Sequence, residues 1–244
     1  MEKYPVEFPF TIDLDNSGVA VFALNLTTTK EGTPVSAWLD LLDTAEQQRS
    51  ASFISQKNHF VFIAAHALKR LALTTVLQES RPKDLRFVYD QYGKPSLFRN
   101  TPYSFNLSHT TDFVALALSP GGAVGIDIER SNPEVMTSEL AASIFTHEEC
   151  TTLAKSDKWI DSFSILWTAK EAVMKAEGKG LRLSPESIYI DQSYGFSPSG
   201  RWNIWQTHPT IDHALSLAWR GKSKTLHYYQ LDPTTLTSWS HCYD

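Results

Sequence analysis

Cysteine, excess positive charge and long apolar runs are all scarce in this chain. Its two cysteines, Cys150 and Cys242, are too few for a disulfide framework and lack metal-ligand spacing, so two reduced thiols are expected. The longest apolar runs, such as residues 60–65, fall far short of the about 20 residues that cross a bilayer. The first residues also lack the apolar core of a signal peptide. These absences predict a cytoplasmic protein without a membrane partner.

The charge balance excludes a further class of partner. A formal net charge of -5 and a pI near 5.9 argue against general binding of nucleic acid. Apolar residues make up 42% of the 244 residues, which is ordinary for a globular protein and sufficient for a buried core. We expect a monomeric globular protein with one large or two small domains and no nucleic-acid partner.

Strand-like and helical patterns recur in a similar order on both sides of a break at residues 120–122. Before the break, the patterns predict helices over 34–53 and 59–78 and strands near 19–26, 85–89, 104–107 and 113–118. After the break, they predict a strand over 123–129, helices over 138–145 and 162–176, and final strands at 202–206, 215–220 and 226–231. This order predicts an α+β fold of two pseudo-equivalent α/β lobes, residues 1–120 and 121–244, with a cleft between them.

Two carboxylates stand together on the first strand after the break. Asp127 and Glu129 are two residues apart, so their side chains share one face of the strand, opposite Ile126 and Ile128. Carboxylates held about 7 Å apart repel each other unless a cation lies between them. Magnesium prefers carboxylates, waters and phosphate oxygens, so this pair is half of a candidate magnesium site. Taken alone, Asp-x-Glu is more often the exposed face of an edge strand.

The helical pattern around residue 170 adds a third acid and two cations. Trp167, Glu171 and Lys175 are spaced i, i+4 and i+8 and share one face, with Lys170 beside it. Three small side chains would let a neighbouring backbone approach the helix closely: Ala169, Ala172 and Ala176. Taken alone, the pattern is explained by a Glu171–Lys175 surface pair beside a core tryptophan.

Two further segments could contact an anion. Ser108 and His109 end a predicted strand, and both side chains can donate hydrogen bonds to a phosphate. A Ser–His nucleophile pair is disfavoured, because adjacent residues on a strand point to opposite faces. The turn at residues 93–95 could present Lys94 to an anion, although Gly-Lys-Pro is more often only a turn.

These segments, in this order, resemble the phosphopantetheinyl transferases of the larger, single-chain Sfp type. A Gly-x-Asp-x-Glu segment is complete at 125–129, and a Trp-x-x-Lys-Glu-Ala-x-x-Lys helix is complete at 167–175. The segments Gly-Lys-Pro, Phe-Asn-Leu-Ser-His-Thr and Phe-Thr-His-Glu-Glu also match, beginning at residues 93, 105 and 145. The joint order of the motifs makes the resemblance specific over roughly residues 45 to 181.

The resemblance implies the two-lobed fold of that family, with the active site in the cleft between the lobes. The first lobe would bind the adenine and 3′-phosphate of coenzyme A, and the second lobe the metal and pyrophosphate. The implied reaction moves the 4′-phosphopantetheine arm of coenzyme A to a serine of an apo acyl or peptidyl carrier protein and releases adenosine 3′,5′-bisphosphate. Coenzyme A is the implied substrate and the carrier protein the implied partner.

The resemblance also implies roles for the acids and the helix lysines. Asp127, Glu129 and Glu171 would hold Mg²⁺, or Mn²⁺ in its place, against the pyrophosphate. Lys170 and Lys175 would bind phosphate oxygens and neutralise the leaving group.

On the coenzyme A side, the resemblance implies that Ser108 and His109 contact phosphates, His109 the 3′-phosphate. Lys94 would border the adenine and ribose. Family members often carry several Arg or Lys around the first long helix, where this chain has few. We expect Arg49 and His66 to share that task.

The incoming serine must lose a proton, and two carboxylates are candidate acceptors. Glu171, acting directly or through a metal-bound water, is the first candidate and Glu149 the second. Lys175 completes the expected catalytic set.

Two rival functions would use the same residues. A metal-dependent phosphohydrolase acting on a nucleotide diphosphate would need no protein acceptor. A docking module without catalysis is disfavoured, because all three candidate metal ligands and both helix lysines are present.

Overall fold

The computed structural model describes residues 12, 14, 18–29, 33–221 and 225–243. The helices in this part of the chain are α1 (Val35–Leu39), α2 (Thr44–Ala51), α3 (Gln56–Leu77), α4 (Ser138–Ile144), α5 (His147–Leu153), α6 (Trp159–Glu177) and α7 (Pro233–Ser240). The strands are β1 (Gly18–Asn25), β2 (Phe87–Tyr89), β3 (Pro95–Leu97), β4 (Tyr103–His109), β5 (Phe113–Pro120), β6 (Val124–Arg130), β7 (Tyr189–Asp191), β8 (Tyr194–Ser197), β9 (Gly200–Thr210), β10 (His213–Trp219) and β11 (Thr225–Leu231). The predicted α+β class is confirmed.

The helix predicted over 34–53 is two helices, because the chain turns at Asp43. This residue is extended (φ -75°, ψ 170°), and its carboxylate accepts from the backbone N–H of Glu46 while Glu46 reaches back to the N–H of Asp43. Such a capping box fixes the start of α2 and prevents α1 from continuing through it. Helix α3 begins after a Ser55 cap and ends at Gln78, which is left-handed (φ 53°).

Two sheets and two long helices form four layers. One sheet has the strand order β11-β1-β5-β4, and the other has the order β6-β10-β9-β8-β7. The sheets face each other across buried apolar side chains, among them Ile126 and Ile128, so the predicted burial of that face of β6 is confirmed. The outer face of the first sheet packs against α3, and that of the second packs against α6. Strands β2 and β3 form a separate hairpin.

The C-terminal segment returns to the first sheet. Strand β11 pairs in parallel with β1, in a register that places Val19 opposite Leu226. Leu236 and Trp239 of α7 join the core on the α3 side of that sheet. Assigning the whole of 121–244 to a second lobe is therefore wrong for residues 225–243. The alternation of β11 predicts which of its faces is buried, but not which strand it pairs with.

Helix α3 has the length and composition that a membrane span needs, with a mean hydropathy of 1.5 in its most apolar window. Within the fold, 72% of that window is buried. A core helix of a soluble domain passes the same criterion, so the finding is weak support for a span. The expected absence of a membrane partner stays a prediction.

Candidate active site

The site is built where β6 lies directly against α6. A Cβ atom on Gly125 would overlap the carbonyl oxygen of Ala172 and the backbone nitrogen of Ala176. Only glycine permits this approach, and it sets the α6 backbone against the face of β6 that carries Asp127 and Glu129. The expectation that the small residues of this helix admit a neighbouring backbone is confirmed at Ala172 and Ala176.

The Asp127 carboxylate is the centre of the arrangement, and its residue is only 2% exposed. Its Oδ1 accepts from Ser108 Oγ at 2.9 Å and from Lys175 Nζ at 2.5 Å. Its Oδ2 is buried and has no hydrogen-bond partner among the described residues. A buried carboxylate oxygen without a donor is costly unless a ligand completes it. Asp127 Oδ2 is therefore open for a ligand.

Two further carboxyl groups lie within electrostatic reach of Asp127. Desolvation and the Asp127 charge raise the pKa of Glu129 to about 7, with Glu171 adding to the rise and Lys175 opposing it. Desolvation and Asp127 also raise the pKa of Glu171, again against Lys175. The Asp127 charge thus raises the pKa of two neighbouring acids, and a cation bound among the three carboxyl groups would relieve this repulsion.

The donor set fits a hard divalent cation. Magnesium binds one or two carboxylates and keeps waters and phosphate oxygens as its other ligands. Within the described part of the chain, no three Asp, Glu, His or Cys side chains converge closely enough to hold a metal by themselves. Asp127 with its free oxygen, supported by Glu129 and Glu171, suits a metal shared with a phosphate ligand. The three-carboxylate set stays a prediction.

Strand β4 supplies the opposite wall of the site. Asn106 Oδ1 accepts from the backbone N–H of Ile126 at 2.9 Å, which ties β4 to β6. Ser108 Oγ accepts from Lys175 Nζ at 2.9 Å and donates its only proton to Asp127. The predicted donation from Ser108 to a phosphate is therefore not available in this arrangement. The role of Asn106 was not predicted, although its amide stands in the motif that ends at His109.

His109 ends β4 on the exposed side. Desolvation and the Lys175 charge lower the pKa of its ring, while backbone hydrogen bonds oppose the shift. The ring is thus near enough to Lys175 for that charge to act on it. Its predicted contact with the 3′-phosphate stays a prediction.

The structure contradicts the predicted roles of Lys170 and Glu149. Lys170 is fully buried, and its Nζ lies 2.6 Å from Glu149 Oε2. The same ammonium donates to three backbone carbonyls, those of Ile144, Pro185 and Ile188. Glu149 also accepts from two backbone N–H groups, one of them its own helix cap. All three ammonium protons of Lys170 are used inside the fold, so it cannot reach a phosphate, and Glu149 is the buried counter-ion of that ammonium instead of a base open to the carrier serine.

Lys94 is also engaged within the protein. Its Nζ donates to the carbonyl oxygens of Lys175 and Ala176, at 2.7 and 2.9 Å. It therefore caps the last turn of α6, where a cation is favourable, and ties the β2–β3 hairpin to that helix. Burial lowers the pKa of Lys94, and Asp90 opposes the shift. Two of the three ammonium protons are used in this contact, and the predicted contact with adenine or ribose stays a prediction.

Arg49 and His66 lie on different helices. Arg49 is exposed on α2, with its guanidinium 5.2 Å from the centre of the Phe53 ring. His66 Nδ1 lies 2.7 Å from Glu46 Oε1. Burial and two neighbouring cations lower the pKa of His66, against the raising effect of Glu46. The neutral ring is favoured, so His66 is a weak substitute for an arginine, whereas the role of Arg49 stays a prediction.

The two cations beside His66 are Lys69 and Arg70, and neither was predicted from the sequence. Lys69 Nζ lies 2.7 Å from Glu46 Oε1, and Arg70 Nε lies 2.5 Å from Glu46 Oε2. Both side chains are buried, at 2% and 0% exposure. The available signal was a Lys-Arg pair inside an apolar helical pattern, which requires a buried counter-ion.

An apolar cavity opens beside the acids. It has a volume of about 760 Å³ and includes Glu129 and Trp167 in its wall. The apolar part of the lining comes largely from α4 and α6: Leu140, Ile144, Phe163 and Trp167. Trp167 is therefore part of a cavity wall, not only a core side chain.

Two family models match the chain on either side of the turn between β5 and β6. The one described as "4′-phosphopantetheinyl transferase superfamily" matches residues 123–232. The one described as "4′-phosphopantetheinyl transferase, N-terminal" matches residues 24–121.

Individual relatives show the extent of the similarity. A Synechocystis sp. protein provisionally named 4′-phosphopantetheinyl transferase is 30% identical over 68% of this chain and 70% of its own. The transferase Sfp of Bacillus subtilis is 28% identical over 63% of this chain and 67% of its own. The transferase AcpT of Escherichia coli O157:H7 is 39% identical over 46% of this chain, and the match spans only 57% of its own length. The solved holo-[acyl-carrier-protein] synthase of Thermotoga maritima superposes with a TM-score of only 0.33, at 18% identity over 40% of this chain and 61% of its own.

Proposed function

Because this chain belongs to the 4′-phosphopantetheinyl transferase family, we propose that it transfers the 4′-phosphopantetheine arm of coenzyme A to a serine of an apo acyl or peptidyl carrier protein. The serine oxygen forms a bond to the phosphorus of the arm, the pyrophosphate P–O bond breaks, and adenosine 3′,5′-bisphosphate leaves. The observation that carries the proposal is the open oxygen of Asp127, a carboxylate that also binds Lys175 and raises the pKa of two neighbouring acids. A divalent metal bound to a diphosphate would bring to these carboxylates the positive charge that the site requires.

The residues that would hold Mg²⁺, or Mn²⁺ in its place, are Asp127, Glu129 and Glu171. The bound metal supplies Lewis acidity and neutralises charge on the diphosphate. The protein's share is to keep the carboxylates on rigid elements, two on β6 and one on α6.

Lys175 is the cation that would meet the diphosphate. Its Nζ is fixed by Asp127 and Ser108, and its side chain remains 29% exposed. It can therefore donate a third hydrogen bond outward, to an oxygen of the leaving group. His109, at the end of β4, would contact the 3′-phosphate of coenzyme A.

Glu171 would accept the proton of the incoming serine. It would do so directly or through a metal-bound water. Glu171 shares its helix with Trp167, one turn earlier, which lines the apolar cavity beside Glu129. The carrier serine would reach Glu171 from this side.

One experiment tests the proposal directly. The protein is incubated with Mg²⁺, coenzyme A and several apo carrier proteins, and each carrier is weighed by mass spectrometry. We expect at least one carrier to gain the mass of a single arm, and we expect omission of Mg²⁺ to prevent the gain. If no carrier gains mass while coenzyme A or another nucleotide diphosphate is consumed, the protein is a phosphohydrolase instead.

The oligomeric state and the cellular location of the enzyme can also be tested. We propose that it acts as a monomer in the cytoplasm, which light scattering of the purified protein and cell fractionation would test. A dimer in solution, or recovery with membranes, would contradict it.

A further inference from the structure

One buried ion pair is not used by the proposed function. His213 Nε2 lies 3.0 Å from Asp112 Oδ1, and His213 Nδ1 lies 2.7 Å from Thr210 Oγ1. A carboxylate only accepts, so the ring carries a proton on Nε2, and in the neutral ring Nδ1 accepts from the Thr210 hydroxyl. The side chains of His213 and Asp112 are only 3% and 14% exposed, so the contact is shielded from water.

Asp112 uses its carboxylate to fix the turn between β4 and β5. Thr110 Oγ1 donates to Asp112 Oδ1 at 2.9 Å, and Arg130 Nη1 lies 3.5 Å from Oδ2. The backbone carbonyl of Asp112 accepts from the N–H of Leu26 at 2.9 Å. The turn begins directly after His109, so whatever holds Asp112 also limits where His109 can lie.

His213 comes to this turn from the other sheet. It lies on β10, where it pairs with Arg130 of β6. Arg130 directly follows Glu129, and both His213 and Arg130 reach Asp112. The Asp112–His213 pair therefore joins the turn that follows His109 to β10, and Arg130 joins the same turn to β6, the strand that carries two of the candidate metal ligands.

We infer that Asp112 and His213 are positioning residues: by holding the β4–β5 turn against β10, they place His109 where it recognises the 3′-phosphate of coenzyme A. The inference rests on the proposed function for the place of coenzyme A. The His213 ring also packs against the ring of Phe113, with the two centres 5.2 Å apart. If packing were the only role of His213, its replacement would weaken the binding of all coenzyme A analogues equally.

The test compares two ligands that differ only in the 3′-phosphate. Dissociation constants of coenzyme A and 3′-dephospho-coenzyme A are measured by calorimetry on the full chain and on His213→Leu and His213→Gln. We expect the wild type to prefer coenzyme A. His213→Leu should raise the dissociation constant of coenzyme A about tenfold, because the charge-assisted contact of His109 with the 3′-phosphate is lost. The dissociation constant of 3′-dephospho-coenzyme A, which lacks that phosphate, should change by less than about twofold. His213→Gln keeps an amide donor toward Asp112 and should retain most of the preference.

The chain offers a matched control in a second His–Asp pair. His208 Nε2 lies 2.7 Å from Asp161 Oδ1 and joins β9 to α6 instead of to the β4–β5 turn. His208→Leu should leave both dissociation constants unchanged. Circular dichroism and thermal unfolding check the fold of each variant, and Asp112→Asn replaces His213→Leu if the latter does not fold.

Equal weakening of both ligands, or no weakening of either, would overturn the positioning role. So would a wild-type protein that binds the two ligands equally. Because binding needs no carrier, this result is separate from the transfer assay. A protein that prefers coenzyme A but modifies no carrier would overturn the proposed function and leave this inference standing.

Discussion

The two carboxylate oxygens of Asp127 differ in their hydrogen bonding. One accepts two hydrogen bonds, from Ser108 and Lys175, and the other is buried without a described partner. The first oxygen fixes the lysine in place, and the second is the one a metal would use. Both functions depend on the negative charge of this single side chain.

Asp127→Asn should lower kcat/KM for carrier modification by at least about 100-fold, since it removes a metal ligand and the counter-ion of Lys175. Its shape is nearly unchanged, so we expect the fold to persist. The measurement is the initial rate of carrier modification at saturating Mg²⁺. Asp157→Asn, an exposed acid on the surface, is the control. A loss of less than tenfold would exclude Asp127 as a metal ligand.

Lys170→Met should destabilise the protein by about 3–5 kcal/mol, because it leaves the Glu149 charge buried and unpaired. The double variant Lys170→Met/Glu149→Gln should recover part of that loss, since it removes both charges. Urea unfolding measures the free energies. If the single variant were as stable as the wild type but inactive, Lys170 would be a phosphate ligand after all.

At the scale of elements, the contact between β6 and α6 decides the geometry of the site. The closeness of Gly125 to the backbone of Ala172 and Ala176 leaves no room for a side chain, and backbone atoms cannot move aside singly. Lys94 holds the C-terminal turn of the same helix through the carbonyls of Lys175 and Ala176. The two contacts together fix the last part of α6, residues 172–176, which includes Lys175 and directly follows Glu171.

Gly125→Ala should therefore destabilise the protein by about 1–3 kcal/mol and displace α6, with loss of activity beyond the loss of folded protein. Gly195→Ala is the matched control. Its added Cβ would meet only side-chain atoms, those of Val173, Ile190 and Ile204, at 3.1–3.3 Å, which can shift. Urea unfolding and activity per folded molecule are the measurements. Equal effects of the two substitutions would show that the β6–α6 approach is not special.

At the scale of the whole molecule, a buried charge cluster holds α2 against α3. Burial would raise the pKa of Glu46, but the hydrogen bond from His66 and the charges of Lys69 and Arg70 outweigh it and hold the pKa well below its usual range. A lowered folded-state pKa means that the carboxylate contributes stability above its unfolded value of 4.5. That contribution is lost as the pH falls below this value, when Glu46 binds a proton on unfolding.

Glu46→Gln should lower the free energy of unfolding at pH 7 by about 3–5 kcal/mol, because the buried cations lose their partner. It should also make the free energy of unfolding decrease less steeply between pH 5 and pH 3, about the range in which Glu46 would otherwise bind a proton on unfolding. Glu79→Gln, which breaks the more exposed pair with Arg99, should cost less than about 1 kcal/mol. Urea unfolding at a series of pH values gives both quantities. An unchanged acid slope in Glu46→Gln would contradict the prediction.

Much of the fold could be predicted locally. The long helices and most strands follow from apolar periodicity, and the opposite faces of Asp127 and Ile126 follow from strand geometry alone. Strands β7 and β8 and helix α7 are short, and their patterns are too brief to stand out from loops. The return of β11 to the first sheet was missed because pairing partners are chosen by tertiary contacts.

The candidate site, like the fold, could be predicted only in part from the sequence. By itself, the sequence determined which residue types stand on β6 and α6, and their order carries the family resemblance. Only the tertiary structure decided that Lys170 is buried with Glu149, that Lys94 caps α6, and that Lys175 alone of these lysines meets Asp127. The physical reason is that a lysine's type and position fix its charge and reach, whereas the packed neighbours fix which partner its ammonium finds.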